Sequence, residues 1–231
     1  MKDVLGKAIQ DYYQELKTGK LWIHNKYGPK EEMPVDAYFR REEDMPELEI
    51  MALQQCSGKI LDIGAGAGSH ALWLQQHGKE VTALDISPAA AEVMKLRGIN
   101  DVLTHDIFEL ETGRYDTLLL LMNGIGLSGT VAGLSRFLQH AGKLLQPGGQ
   151  ILFDSSDIAY LYEGKIPAGE NYYGEIAYRY EYKGQKTDWF SWLYVDQQFL
   201  ATTAAAEGWK VEILGEDEYQ QYLARLTRLP Q

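Results

Sequence analysis

Residues 59–74 read KILDIGAGAGSHALWL. A strand-like apolar run carries an acid, Asp62, near its end; glycines follow at 64, 66 and 68, and then apolar residues return at helical spacing. A glycine turn between a strand and a helix lets a ligand approach the backbone, and the helix start offers free N–H groups to it. The spacing here is G-x-G-x-G. A dinucleotide fingerprint instead asks for G-x-G-x-x-G or Ala, and position 69 is Ser. A carboxylate at the loop entrance repels a pyrophosphate but can hold an ammonium group through a charge-assisted hydrogen bond.

Downstream, short apolar strands alternate with helices, the signature of a parallel sheet with crossover helices. The strands expected are KILDI, EVTALD, DVLTHD, YDTLLLLM and GQILFDSS. Ser87 and Pro88 suit a helix start, as cap and first helical residue. Val131, Leu134, Phe137, Leu138, Ala141, Leu144 and Leu145 recur at helical spacing, and PGG ends that helix. Asp85 closes the second strand, roughly 20 residues past the glycines, where an acid can accept hydrogen bonds from both hydroxyls of a ribose. Asp106 closes the third and is placed to take an adenine amino group. Open parallel sheets bind ligands along this carboxyl edge. Asn123 in MNGIGL, and Asp154 and Ser155 after the fifth strand, fall on the same edge.

Beyond the fifth strand the simple alternation stops. YYGEIAYRYEY, KGQK and WFSWLYV read as a hairpin, with Ile176, Tyr178, Tyr180 and Tyr182 on one face. Asp196 starts a further helix, Gly208 ends it, and WKVEIL and QYLARLTRL supply a sixth and seventh strand. At the other end, residues 2–17 place seven apolar or tyrosine side chains on one helical face, 18–46 are turn-rich, and a second helix runs from about 47 to 55. The fold expected is α/β: a doubly wound, mostly parallel seven-stranded sheet with an N-terminal helical cap and an inserted β-hairpin. Residues 1–55 form the cap segment and 56–231 the sheet domain, with the hairpin at about 171–195.

The chain has 231 residues, 33 acids against 22 Lys and Arg, and a formal net charge of -11. Phosphate backbones bind through clustered basic side chains, and no such patch is present, so a nucleic-acid partner is not expected. No apolar run approaches the roughly 18 residues that cross a bilayer. The start, MKDVLGKAIQDYYQELK, lacks the uniform apolar stretch of a signal peptide, and the one cysteine, Cys56, cannot form an internal disulfide. These features suggest a cytoplasmic protein.

The stretch LDIGAGAG resembles the first motif, D or E-x-G-x-G-x-G, of the class I S-adenosylmethionine-dependent methyltransferases, and matches it fully. The resemblance runs over about residues 55–155, through ALDIS, HDIF, NGIGL and LLQPGGQILF. It implies a Rossmann-like methyltransferase fold with S-adenosylmethionine as cofactor. It also implies a cofactor-binding set of Asp62, Gly64, Ala65, Gly66, Gly68, Asp85, Ile86, Asp106, Ile107 and Asn123. The acceptor implied is a small molecule of unidentified structure. Asn-P-P-Tyr or its variants, which mark some methylases of nucleic-acid bases, are absent after the fourth strand.

Candidates on the acceptor side are Arg40, Asp154, Ser155, Tyr172 and Tyr173. Arg40 can reach a cofactor carboxylate from the cap, but the run Arg40 to Asp44 reads first as a solvated charged face. Residues 160–194 hold eight of the 15 tyrosines, which can wall a pocket for a cationic or aromatic substrate or simply satisfy strand preference. His70 opens the helix after the glycine loop. No His and Cys pair has a metal-ligand spacing, and no catalytic residue stands out. A cofactor-binding module without transferase activity and a nicotinamide-dependent oxidoreductase are the rival readings; Asp62 and Ser69 speak against the second.

Overall fold

The computed structural model describes residues 2–16, 19–111, 113–162 and 171–229. In chain order the elements are α1 (Val4–Tyr13), β1 (Trp22–Asn25), β2 (Glu31–Glu32), α2 (Glu47–Gln55), β3 (Lys59–Ile63), α3 (Ser69–Gln76), β4 (Glu80–Asp85), α4 (Pro88–Leu96) and β5 (Val102–Thr104). Then come β6 (Tyr115–Leu120), α5 (Val131–Leu144), β7 (Leu145–Ser156), β8 (Glu175–Tyr182), β9 (Gln185–Lys186), β10 (Phe190–Leu193), α6 (Gln197–Ala206), β11 (Trp209–Glu216) and β12 (Gln221–Arg228).

The main sheet has seven strands in the order β11-β12-β7-β6-β3-β4-β5. Strands β3 to β7 are parallel, and β12 runs antiparallel between β7 and β11. This is the doubly wound, mostly parallel seven-stranded sheet expected. The chain starts in the middle at β3, winds outward to β5, then crosses back to β6. That reversal opens a crevice at the carboxyl ends of β3 and β6, where ligands bind in such sheets.

Because a strand alternates its side chains, each central strand feeds two cores. Leu61, Leu118 and Ile151 lie in register and pack with Leu134, Phe137 and Trp209 on the α5–α6 side. Their neighbours Ile60, Leu119 and Leu152 pack with Leu53, Leu74 and Met94 on the side of α2, α3 and α4. The acids follow the same rule. Asp62 shares its row with Leu119 and Leu152, so its carboxylate faces α2 and α3.

Helix starts follow local chemistry. Ser87 accepts the Ala90 N–H with Pro88 at the first position, Thr130 accepts from Gly133, and Asp196 accepts from Phe199. Helix α3 has no side-chain cap; left-handed Gly68 precedes it.

Three boundaries differ from the sequence reading. The PGG of residues 147–149 lies within β7, which begins directly after α5, and the parallel register to β6 shifts there between Tyr115 and Thr117. Helix α1 stops at Tyr13, ahead of left-handed Glu15. The turn-rich stretch after it contains two strands. Strand β1 pairs antiparallel with β8 of the inserted hairpin, giving a second sheet ordered β10-β8-β1-β2, with β9 on β8. Cap segment and hairpin are therefore one roof built from two distant pieces of chain.

Candidate functional site

The three glycines of the turn after β3 have left-handed backbones, and each meets different surroundings. A side chain at Gly68 would strike Ile99 and Met94, so this glycine lets α3 pack closely on α4 and the loop that follows it. At Gly66 a Cβ would lie 2.9 Å from the Tyr38 ring, which descends from the cap. A Cβ at Gly64 would meet nothing within 4 Å among the described residues, so the backbone there borders open space. Ser69 Oγ donates to the Tyr38 carbonyl, and Arg97 donates to Ala67 O, holding the turn from both sides.

The amides of this turn are already engaged. Gly64 and Ala65 donate to Leu84 O at 2.8 and 3.0 Å, and Gly66 donates to Asp85 Oδ2 at 2.8 Å. A pyrophosphate cradle needs such N–H groups free. What the turn presents is a carboxylate. Asp62 is 2% exposed, and its Oδ2 has no hydrogen-bond partner among the described residues. Burial pushes the Asp62 carboxyl up to about 6, against the opposing charge of nearby His70. A buried, unpartnered carboxylate oxygen beside a turn open at Gly64 fits an ammonium group.

Asp85, at the end of β4, takes N–H groups from Gly66 and Ser87 on its two oxygens and retains lone pairs for further donors. Burial raises its carboxyl, with the two amides pulling it back. Ile86 beside it is 69% exposed, an uncovered apolar side chain suited to the face of a planar base. Asp106 caps the turn after β5 by accepting the Phe108 N–H at 2.9 Å, and Ile107 is buried in the α5–α6 core.

At the end of β6, Met122 and Asn123 are both left-handed, with φ of 61° and 54°. Non-glycine residues resist this conformation, and a buried acid compensates. The Asn123 N–H donates to both oxygens of Asp154 at 3.0 Å, and Gln221 also donates to that carboxylate. Burial lifts the Asp154 carboxyl to about 6, Glu49 adds repulsion, and the Asn123 and Gln221 donors oppose them. The Asn123 side chain accepts from Ser156 Oγ at 3.2 Å.

Comparison with known proteins is consistent with this geometry. A family model described as a methyltransferase domain matches residues 60–149. A solved S-adenosylmethionine-dependent methyltransferase from Bacteroides fragilis, in complex with S-adenosyl-L-homocysteine, is 44% identical with a TM-score of 0.92, covering 99% of this chain and 96% of that one. The chain belongs to the S-adenosylmethionine-dependent methyltransferases. The CcbJ methyltransferase of Streptomyces caelestis shares the fold, with a TM-score of 0.67 at 14% identity and full coverage of both chains. A ubiquinone biosynthesis O-methyltransferase of Alkalilimnicola ehrlichii is 25% identical over 125 residues, 48% of this chain and 49% of that relative. The match thus spans about half the length of that curated relative.

In this methyltransferase the turn, Asp62, Asp85, Ile86 and Asn123 gather at the carboxyl edge of the sheet. Arg40 does not end in a solvated run. It donates to both oxygens of Glu49, at 2.6 and 2.8 Å, and Glu49 also pairs with His70 Nε2 at 2.8 Å. The Glu49 carboxyl is held low by His70 and Arg40 despite burial, and Glu49 and Asp62 hold the His70 imidazole high. Ser155 is fully buried and accepts the Val195 N–H, which takes its hydroxyl up in packing. Tyr172 and Tyr173 donate to Asp196 and Asp157, which line a separate depression of about 370 Å3 with Gln197 and Glu216.

Sequence reasoning passed over Glu49 and Tyr38. Glu49 joins His70, 21 residues on, and Arg40, nine residues back in another element, and the Tyr38 carbonyl meets Ser69, 31 residues on; helical periodicity carries no mark of such pairings.

Proposed function

We propose that this protein transfers the methyl group of S-adenosylmethionine to a small-molecule acceptor. The observation that carries the reading is the turn itself: the amides of Gly64, Ala65 and Gly66 are engaged by β4, while Asp62 Oδ2 is buried and without a hydrogen-bond partner among the described residues. Asp62 would hold the amino group of the donor, Asp85 its ribose hydroxyls, and Ile86 and Asp106 its base, with the Ile107 side chain turned into the core behind them. Gly64 and Ala65 would supply the surface along which it lies, while Gly66 and Gly68, faced by Tyr38 and by Ile99 and Met94, shape the turn. When bound, the donor supplies a sulfonium methyl that is already electrophilic.

The protein's task is then to position and to exclude water. Holding an acceptor in line with a reactive methyl removes much of the entropic barrier without an acid or base. Asp154 fixes the loop at Asn123 beside the crevice, and the roof of β1, β2, β8 and β10 reaches that loop where Trp192 packs on Gly126. Tyr38 closes the turn at Gly66. A cover of this kind keeps water from competing for the methyl.

Calorimetric titration with S-adenosylmethionine, S-adenosylhomocysteine and NAD tests the donor. Binding of the first two and not of NAD is the expected result; binding of NAD alone would replace this reading with the oxidoreductase one. Binding without methylated product across a broad acceptor panel would favour a non-catalytic module.

A further inference from the structure

The roof sheet separates charge between its two faces. Residues directly opposite in an antiparallel pair point the same way. Strand β8 therefore puts Tyr178 and Tyr180 on one face with Ile23 and Asn25 of β1 and Phe190 and Trp192 of β10. Trp192 packs on Gly126 at the end of β6, and Tyr182 on α1, so this face looks down on the crevice. The opposite face carries His24, Arg179, Glu181 and Lys186, with Arg179 over the Trp189 ring and Lys30 over the Trp22 ring.

No Lys, Arg or His occupies a paired position on the inner face among the described residues. An acid does. Glu31 of β2 is opposite Ile23, shares that face, and forms no ion pair among the described residues. Tyr178 O–H donates to the Tyr194 hydroxyl at 3.4 Å, their rings meet edge to face, and Tyr180 extends the wall toward Tyr38 and Asp85. Burial raises the Tyr178 and Tyr194 phenols and Glu31 adds to both, while the hydrogen bond with Tyr178 pulls Tyr194 back. Arg40 of the cap is already paired with Glu49.

From this we infer that the acceptor is an amine, bound as its ammonium form against Glu31 and the faces of Tyr178, Tyr180 and Tyr194. Aromatic faces and an unpaired carboxylate attract a cation and offer nothing to a carboxylate or phosphate. The inference rests on the methyl-donor reading above. In the reaction the bound ammonium first gives a proton to water. The nitrogen lone pair then forms the N–C bond as the C–S bond breaks; the C–S electron pair stays on sulfur, which becomes a neutral thioether, and the methylated ammonium carries the positive charge away.

The test is calorimetry on protein saturated with S-adenosylhomocysteine, using phenethylamine, 2-phenylethanol and 3-phenylpropionate as probes of one shape and different charge. The amine is expected to bind about tenfold tighter than either of the others. Glu31→Gln, at an exposed position, should cut amine affinity about fivefold and leave the alcohol unchanged; Tyr178→Leu should do the same, with S-adenosylhomocysteine affinity serving as the check on folding. Equal binding of the three probes, tighter binding of the carboxylate, or no amine binding to the loaded protein overturns the amine assignment and leaves the donor reading intact. Failure to bind S-adenosylhomocysteine overturns both.

Discussion

At the residue scale, the donor site turns on two carboxylates with different surroundings. Asp85 already accepts two amides and would add the ribose. Asp85→Ala is expected to weaken S-adenosylhomocysteine binding by about 1–3 kcal/mol, the range for hydrogen bonds to a charged group, as read by titration calorimetry. Unchanged affinity in a folded variant would remove Asp85 from the site. Asp62 gives a pH signature instead. Its carboxyl holds a proton up to about pH 6 in the fold and only to 3.8 in the ordinary state. Ionisation of Asp62 therefore works against the folded state as pH rises from 3.8 through 6, while an ammonium ligand needs the ionised form. Donor affinity should rise about tenfold per pH unit below that pKa and level off above it. In Asp62→Asn the profile should be flat and the affinity low throughout, which titrations at pH 5, 6 and 7.5 would show.

Among the elements, the turn after β3 combines a required backbone with a required contact. Gly66 has φ of 57° and a Cβ there would lie 2.9 Å from the Tyr38 ring, whereas Gly64 has the same kind of backbone but open space. Gly66→Ala should cost about 1–2 kcal/mol from the left-handed backbone, plus displacement of Tyr38. Gly64→Ala should show the backbone cost alone, so the two urea midpoints would separate strain from contact. The link between α2 and α3 has its own pH window. Glu49 is held below 4.5, so its contribution is present above that value and lost as pH falls through its folded pKa. His70 is held above 6.5, so its contribution is complete below 6.5 and lost as pH rises through its folded pKa. The destabilisation caused by His70→Gln should thus be largest between pH 4.5 and 6.5 and shrink in alkaline solution, measured by urea unfolding across pH.

For the whole molecule, most of the main sheet was legible because it is written in local patterns. KILDI and EVTALD appear as strands with those limits, the Ser87–Pro88 start holds, and the last two strands fall where alternation placed them. The roof was only half legible. The hairpin shows period two, but WIHN at 22–25 is four residues long among turn formers, and its partner in β8 lies more than 150 residues later. No local signal encodes that pairing, nor the Arg40–Glu49–His70 cluster that takes Arg40 out of solvent. A buried acid fastens the roof to the cap: Asp11 of α1, 1% exposed, accepts from Lys183 and Tyr182 at the β8 turn and pairs with Lys7. Asp11→Ala should speed amide hydrogen exchange in α1 and β8 together and leave β3, β6 and β7 protected, as mass spectrometry would resolve. Uniform loss of protection would show instead that roof and sheet open as one unit.

The pairing of β1 with β8 also sets a timetable. β1 leaves the ribosome ahead of β3, yet its partner β8 emerges only after the parallel strands β3 to β7 have been made. During synthesis the nascent chain thus carries an unmatched strand edge, and the central scaffold can assemble beneath it before any cover exists. The cover is completed when a tyrosine-rich strand reaches a berth made before the central strands, with β11 and β12 still to join the main sheet.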